Sequence, residues 1–212
     1  MTSLATTLLI GSTGPLGVEI LQHAADVGVV LKAMARKPSG SKPIGMHQTV
    51  IGDVTLPSTL DAALAGVSSV VCVLGTPLTR KPVNLLSDGT TNLVAAMKRA
   101  GTSRLLCVTG MGAGDSRGHG GFFYDHVILP CLLGEIYKDK DRQEAIVKSS
   151  ELDWSIIRPG RLTNGTCDLQ YRALVDLTNQ RMRSISRADV AHFLLRELKV
   201  SKYLKQTVNL TN

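Results

Sequence analysis

Aromatic residues are scarce, at 4% of the 212 positions with a single tryptophan. The 24 basic side chains outnumber the 17 acidic ones, for a formal charge of +7, yet they form no stripe and alternate with no aromatics. A base-stacking platform is thereby excluded, and no nucleic-acid partner is expected. The four cysteines (Cys72, Cys107, Cys131 and Cys167) contain no C-x-x-C pair, and all but Cys167 sit in apolar stretches. Buried free thiols in a reducing cytoplasm are expected. The five histidines are scattered without ligand spacing, so no metal site is expected. Long hydrophobic runs are missing too. The first, Leu4–Ile10, is far shorter than the roughly 20 residues that cross a bilayer. No basic segment precedes it, so neither secretion nor a membrane partner is expected. Finally, no low-complexity linker or internal repeat divides the chain, and residues 1–212 are expected to form one domain.

What is present is a folded composition, 43% hydrophobic and 19% charged. Apolar, β-branched runs alternate with helical patterns. Strands are predicted at Leu4–Ile10, Val29–Met34, Thr49–Ile51, Val70–Leu74, Leu105–Val108 and Trp154–Ile157. Helices are predicted at Pro15–Val27, Pro57–Ala65 and Val83–Ala100, each closed by a glycine at 28, 66 or 101. Strands that are apolar throughout and separated by helices make a parallel sheet covered on both faces. The predicted fold is therefore α/β, a doubly wound parallel sheet of the Rossmann type, with ligands beyond the carboxyl ends of the strands. From about residue 160 a small C-terminal substrate cap is expected. It carries a helix at Arg187–Leu198 and a last strand at Thr207–Leu210.

Gly11-Ser12-Thr13-Gly14-Pro15-Leu16-Gly17 follows the first strand and opens the first helix with G-x-x-G-x-x-G spacing. Glycines at these points allow a tight turn, close approach of backbone to a pyrophosphate, and close helix–strand packing. Pro15 suits the first helical position, and the helix start offers free N–H groups and a positive dipole end to phosphates. Ser12 and Thr13 can add hydroxyl donors. This pattern in this context predicts a dinucleotide site.

The second strand ends in Ala35-Arg36-Lys37, where an NAD-preferring site would carry an acid. Two adjacent cations suit a 2′-phosphate, and Arg36 can also lie on the adenine face, so NADP(H) is the expected cofactor. A merely solvated basic turn is the alternative. Three further strand ends fit the same crevice. Asp53 and Val54 follow the third, where Asp53 can accept from the adenine amino group. Leu74-Gly75-Thr76 follows the fourth, leaving room for the ribose. Thr109-Gly110-Met111 follows the fifth, at the expected nicotinamide position.

On these motifs, together with Ser87–Lys98 and Asp189–Leu195, the chain resembles the atypical short-chain dehydrogenase/reductases. More narrowly it resembles their NAD(P)H-binding group, which includes biliverdin-IXβ reductase (flavin reductase). The resemblance implies Arg36 on the 2′-phosphate, Thr13 and Gly14 near the pyrophosphate, and Asp53 and Val54 near adenine. It also implies a turn through Pro159, Gly160 and Leu162 flanking the nicotinamide end. One feature of the wider superfamily is missing, the Tyr-x-x-x-Lys proton-transfer pair. Lys140 stands in the lysine place, four residues before Glu144, but Ile136 precedes it by four. Tyr137 is one residue out of register, about 100° around a helix. Tyr124 is followed four residues on by Ile128.

Three functions remain open at this point. The first is an NADPH-dependent oxidoreductase, monomeric or homodimeric, that passes hydride to a flavin, a tetrapyrrole or a similar planar small-molecule acceptor. In it Thr109 and Met111 flank the nicotinamide and Lys140 orients ribose or phosphate. His119, Tyr124 and Arg161 are candidate substrate contacts, although each also reads as an ordinary loop, core or solvated residue. The second is a non-catalytic NADP(H)-binding redox sensor or assembly factor. The third is an NAD-dependent epimerase, disfavoured by the missing pair and by the short C-terminal region. Six glycines within Thr109–Gly121 suggest a mobile, polar rim on the substrate side.

Overall fold

In the computed structural model, residues 5–37 and 47–212 are described. Leu4, the expected start of the first strand, lies outside them. Strand β1 (Thr6–Ile10) leads into helix α1 (Pro15–Ala24), then β2 (Val30–Ala35) and β3 (Gln48–Ile51). Helix α2 (Pro57–Leu64), β4 (Ser69–Cys72), α3 (Leu85–Ala100) and β5 (Arg104–Val108) follow, then α4 (Gly134–Lys148) and β6 (Asp153–Pro159). The remainder comprises β7 (Arg161–Thr163), β8 (Arg172–Leu174), β9 (Ser184–Ser186), α5 (Arg187–Val200) and β10 (Gln206–Thr211).

The main sheet has eight strands in the order β3-β2-β1-β4-β5-β6-β10-β8. Every pairing is parallel except that of the edge strand β8 with β10. Alternation along β1 sends Leu8 and Ile10 to one face and Leu9 to the other. Leu8 and Ile10 join Leu60, Leu64, Leu93 and Met97 of α2 and α3, while Leu9 joins Leu16 and Ile20 of α1 and Leu194 of α5. Both faces of a parallel sheet are thus buried, as period-2 side chains between two helical layers require. This is the doubly wound fold expected from the sequence. Its order reverses between β1 and β4, which puts the crevice beyond their carboxyl ends.

The segment from about residue 160, expected as a cap, divides in two. Helix α5 covers the sheet beside α1, and β10 pairs with β6 inside it, so both belong to the Rossmann body. The stretch between β7 and β9, which pair with each other in a small second sheet, packs Leu177 and Met182 against Met111 just beyond β5, while its strand β8 pairs with β10 at the edge of the main sheet. The reason lies in composition. Val208 and Leu210 are fully buried, as an interior strand demands, and Val190, Leu194 and Leu195 supply an apolar face for the sheet.

Besides the short strands β7, β8 and β9, one helical segment is not marked by the sequence. Tyr124–Leu133 forms a wide π-helical segment that runs directly into α4 and contains Pro130. A proline inside the run reads as a breaker, and the wider winding accommodates it. Cys131 sits on its exposed side, which corrects the expectation that this thiol is buried. Cys72 and Cys107 are buried on adjacent strands, and Cys167 is half-buried.

Candidate active site

The glycine loop occupies the turn between β1 and α1. Gly14 bonds back through its N–H to the Gly11 carbonyl at 3.0 Å and caps α1 without any side-chain hydrogen bond. Pro15 stands in the first helical turn. The first-turn N–H groups therefore keep their capacity for an anion. Gly17 packs the helix onto this turn, since a Cβ there would stand 2.7 Å from the Ser12 Cα. No larger residue fits. Thr13 is exposed at the mouth of the turn, whereas Ser12 is buried and donates its hydroxyl to the Met34 carbonyl at 2.7 Å. Ser12 thus ties the loop to β2, and its side chain is spent on that bond. An uncapped helix start behind a backbone-lined turn is a fitting seat for a pyrophosphate.

Arg36 and Lys37 follow β2 directly, and both are exposed. Arg36 lies near enough to Asp53 to help hold its acid below the usual carboxylate range. The larger cause is the Thr55 backbone N–H, which donates to Asp53 Oδ1 at 2.8 Å. Val54 is buried against Gly89 of α3, and its carbonyl accepts from Asn92 Nδ2 at 2.8 Å. Beyond β4, Leu74 packs into the core while Gly75 is exposed and Thr76 half-exposed. All these residues border the carboxyl ends of β1 to β4, where the sequence placed a cofactor.

The end of β5 is built differently. The Thr109 hydroxyl turns inward and donates to Glu144 Oε1 at 2.8 Å, while its carbonyl accepts from the Lys140 ammonium. Thr109 and Lys140, both expected in the chemistry, are thereby linked through backbone. Glu144 also accepts from Arg158 Nε at 2.8 Å and Nη2 at 2.6 Å, and Arg158 further pairs with Asp115. Arg158 is 0% exposed and Glu144 2%, so this is a buried ion pair with both ends hydrogen-bonded. Burial pushes the Glu144 carboxyl up, but the Arg158 hydrogen bonds and charge override it and hold the acid below its ordinary value. The network clamps β5, β6 and α4 together immediately below Gly110.

Gly110 is small for a reason. A Cβ there would lie 2.9 Å from both Lys140 Nζ and the Tyr137 hydroxyl. The Lys140 ammonium stands 4.8 Å from the Tyr137 ring centroid. Burial lowers the Lys140 amine from 10.5 to about 8, opposed in smaller part by the neighbouring Cys107 and Glu144. Tyr124 donates its hydroxyl to the Met111 carbonyl at 3.0 Å and lies 3.2 Å from the Tyr137 hydroxyl. Met111, Leu177 and Met182 form a small buried apolar cluster, against which half-buried Tyr124 and Leu174 pack.

The glycine-rich loop, expected as a mobile rim, is instead bonded along its length. Gly112 N–H donates to Ser116 Oγ at 2.9 Å, Gly114 N–H to Asp141 Oδ1 at 2.8 Å, and Met182 N–H to the His119 carbonyl at 2.8 Å. His119 Nδ1 lies 2.9 Å from the Gln180 carbonyl, so this ring is held by the loop before β9. Arg161 is exposed on β7 and Leu162 half-buried beside it. The Pro159 carbonyl accepts from the Met111 N–H at 3.0 Å, and Gly160 N–H donates to the Leu210 carbonyl at 2.8 Å. The turn at 159–160 thus abuts the Met111 cluster.

Sequence reasoning missed Tyr137, Glu144 and Arg158. For Tyr137 a signal existed, because residues three apart on a helix are neighbours as surely as residues four apart. Tyr137-x-x-Lys140 meets that rule. For the Glu144–Arg158 pair no local signal exists. Among the described residues no group of three or more metal-ligating side chains gathers, and no helix is long and apolar enough to cross a membrane. Two cavities lie elsewhere, one lined by Tyr171, Phe193 and Tyr203, the other by Arg104 and Lys199.

Residues 11–200 match the profile of an NAD(P)H-binding family. The chain belongs to that family, whose cofactor is NAD(P)H. It is 28% identical over 155 residues to an NAD(P)H azoreductase of Xenophilus azovorans, covering 72% of this chain and 47% of that protein. It is 25% identical over 217 residues to the photosystem II assembly factor Ycf39 of Guillardia theta, covering 96% of this chain and 63% of that one. The chain thus spans between about half and under two thirds of the length of these curated relatives. In fold it is similar to ChuY, an anaerobillin reductase from Escherichia coli O157:H7. The TM-score is 0.82 at 22% identity, covering 98% of this chain and 97% of the other.

Proposed function

We propose that the protein is an NADPH-dependent reductase that passes hydride to a planar, conjugated small molecule such as a flavin, a linear tetrapyrrole or an azo compound. The observation that carries this reading is the meeting, beyond the end of β5, of the glycine-lined crevice with Lys140 on the Thr109 carbonyl and with half-buried Tyr124 at the edge of a buried cluster of Met111, Leu177 and Met182. The accessible part of the Tyr124 ring offers a flat conjugated acceptor an aromatic surface. When bound, the reduced nicotinamide supplies the hydride. The chain's part is to bind, align and exclude water. The α1 start and the Gly11–Gly17 turn hold the pyrophosphate, Arg36 and Lys37 take the 2′-phosphate, and Asp53 meets the adenine. Lys140, anchored on the Thr109 carbonyl, presents a cation towards the nicotinamide ribose. Glu144 and Arg158 hold β5 and β6 at fixed separation, so the cluster keeps its distance from the cofactor seat.

The test is turnover. Purified protein is mixed with NADPH and, separately, FMN, biliverdin and an azo dye, and the nicotinamide absorbance is followed. Oxidation with at least one acceptor is expected. Tight cofactor binding with no oxidation across all three overturns the reading. A second reading, a cofactor-binding sensor or assembly protein, is favoured by the likeness to Ycf39 and by Phe122 and Phe123, which are 77% and 66% exposed. The same assay separates the two.

A further inference from the structure

We infer that the cavity between helix α5 and the edge strand β8 is a second ligand site, built for a small aromatic carboxylate. The inference stands apart from the reductase reading. Strand β8 lies four strands beyond β4 in the sheet, about 20 Å from the crevice at the usual strand spacing.

The chain has only three phenylalanines and four tyrosines, yet Tyr171, Phe193 and Tyr203 line one cavity of about 210 Å³. One wall is a single face of α5, where Phe193, Arg196, Glu197 and Val200 follow the helical i, i+3, i+4, i+7 spacing. Tyr171 and Ala173 supply the opposite wall from β8 and the residue before it, and Lys202 and Tyr203 close the end ahead of β10. The Phe193 ring centroid lies 6.0 Å from that of Tyr171, edge to face at 82°, and 5.7 Å from that of Tyr203. Phe193 is buried and both tyrosines are half-buried, so the rings form a floor that is partly open. Such a floor accepts a further ring at offset or edge-on geometry. An apolar cavity of about 150 Å³ holds benzene, so this one has room for one or two fused rings.

The polar groups at the cavity divide into those already committed and those still free. Glu197 is buried and accepts from Arg104 Nη2 at 2.8 Å, from the Tyr203 N–H at 2.9 Å and from the Lys202 N–H at 3.1 Å. The Tyr171 hydroxyl lies 2.9 Å from His192 Nδ1. Arg196, by contrast, is exposed three residues from Phe193, and the Lys202 ammonium stands 5.1 Å from the Tyr203 ring centroid. Among the described residues no carboxylate pairs with either cation. Two cations without an acid, beside an aromatic floor, complement a ring that carries a negative charge. The planar guanidinium fork of Arg196 matches a carboxylate in particular. A neutral ring would leave the cations unused, and an inorganic anion would leave the rings uncovered. The ligand would also brace β8, because Leu174, next to Ala173, packs against the Met111 cluster.

The experiment is a calorimetric titration of the protein, in excess NADPH, with 2-naphthoate and with its neutral amide. Wild type, Arg196→Gln and Ala173→Ile are compared. Saturable binding of 2-naphthoate to the wild type is expected. Arg196→Gln should weaken it about tenfold, the scale of one charged hydrogen bond, and the amide should bind more weakly by a similar factor. Ala173→Ile fills the cavity with a residue that strands accept and should abolish binding. Arg196 is exposed, so its variant keeps the test valid if the filled cavity disturbs folding. Hydrogen exchange in the presence of 2-naphthoate should slow at 171–174 and 193–203. No saturable binding, an amide that binds as tightly as the acid, or equal binding by Arg196→Gln with protection at the crevice loops instead overturns the inference. NADPH oxidation plays no part in these readouts, so a failed reductase reading leaves this inference standing.

Discussion

The two ends of the crevice are made in opposite ways. At the proposed cofactor end, between β1 and β3, the features are backbone and exposed charge. They are an uncapped helix start, a glycine turn, and Arg36 and Lys37 standing in solvent. At the proposed acceptor end, between β5 and β6, the features are buried and cross-linked. Arg158 is fully enclosed, Glu144 takes three hydrogen bonds from Thr109 and Arg158, and two phenols share a pocket with a lysine. The cofactor end is a seat that any member of the fold can offer. The acceptor end is a rigid frame in which small displacements matter, because interiors transmit strain rather than absorb it.

Breaking the frame should have the largest effect. Glu144→Ala leaves the Arg158 guanidinium buried with only the exposed Asp115 as partner, at a cost of about 3–5 kcal/mol. A denaturant melt measures it. Acid should act on the same pair. The Glu144 acid is held below its ordinary value in the fold, so its contribution is complete above the ordinary carboxylate value and is lost as pH falls through the lowered one. Arg158→Met should shrink that acid sensitivity.

Breaking the seat comes next. Gly17→Ala forces a Cβ onto the Ser12 backbone and should cost about 1–3 kcal/mol while abolishing NADPH binding. Thermal melts with and without NADPH separate the two effects. The wild type should be stabilised by the cofactor and the variant should not.

Lys140 joins the two halves, and its effect should be intermediate. Because burial lowers its amine from 10.5 to about 8, the unfolded chain binds more protons between those values, and stability should rise with pH across that window. Lys140→Met should remove this slope and lower kcat about tenfold or more, with little loss of folding. A slope that persists in the variant would assign the titration to another group.

How much of this was readable in advance follows the same division. The proposed cofactor seat draws on seven consecutive residues and one strand end, so spacing alone singles out Gly11–Gly17, Arg36 and Lys37 as its candidates. The parallel sheet was legible for the same reason, since each buried strand is a short apolar run. The acceptor end draws on Thr109, Tyr124, Tyr137, Glu144, Arg158 and Met182, which only the sheet topology brings together. Pro130 hid the segment that carries Tyr124, and the search for a four-residue spacing passed over Tyr137. Ser12 is expected to offer its hydroxyl to the cofactor and Thr109 to flank the nicotinamide, whereas the fold commits their hydroxyls to Met34 and Glu144.

The smallest effect bears most directly on the seat. Arg36→Ala should weaken NADPH binding about tenfold, the scale of one charged hydrogen bond, and leave NADH binding unchanged. The decisive measurement is a calorimetric titration of the wild-type protein with NADPH and with NADH under one set of conditions. The exposed pair Arg36-Lys37 beyond β2 predicts tighter binding of NADPH by about tenfold or more. Equal affinities for the two cofactors would contradict the 2′-phosphate assignment.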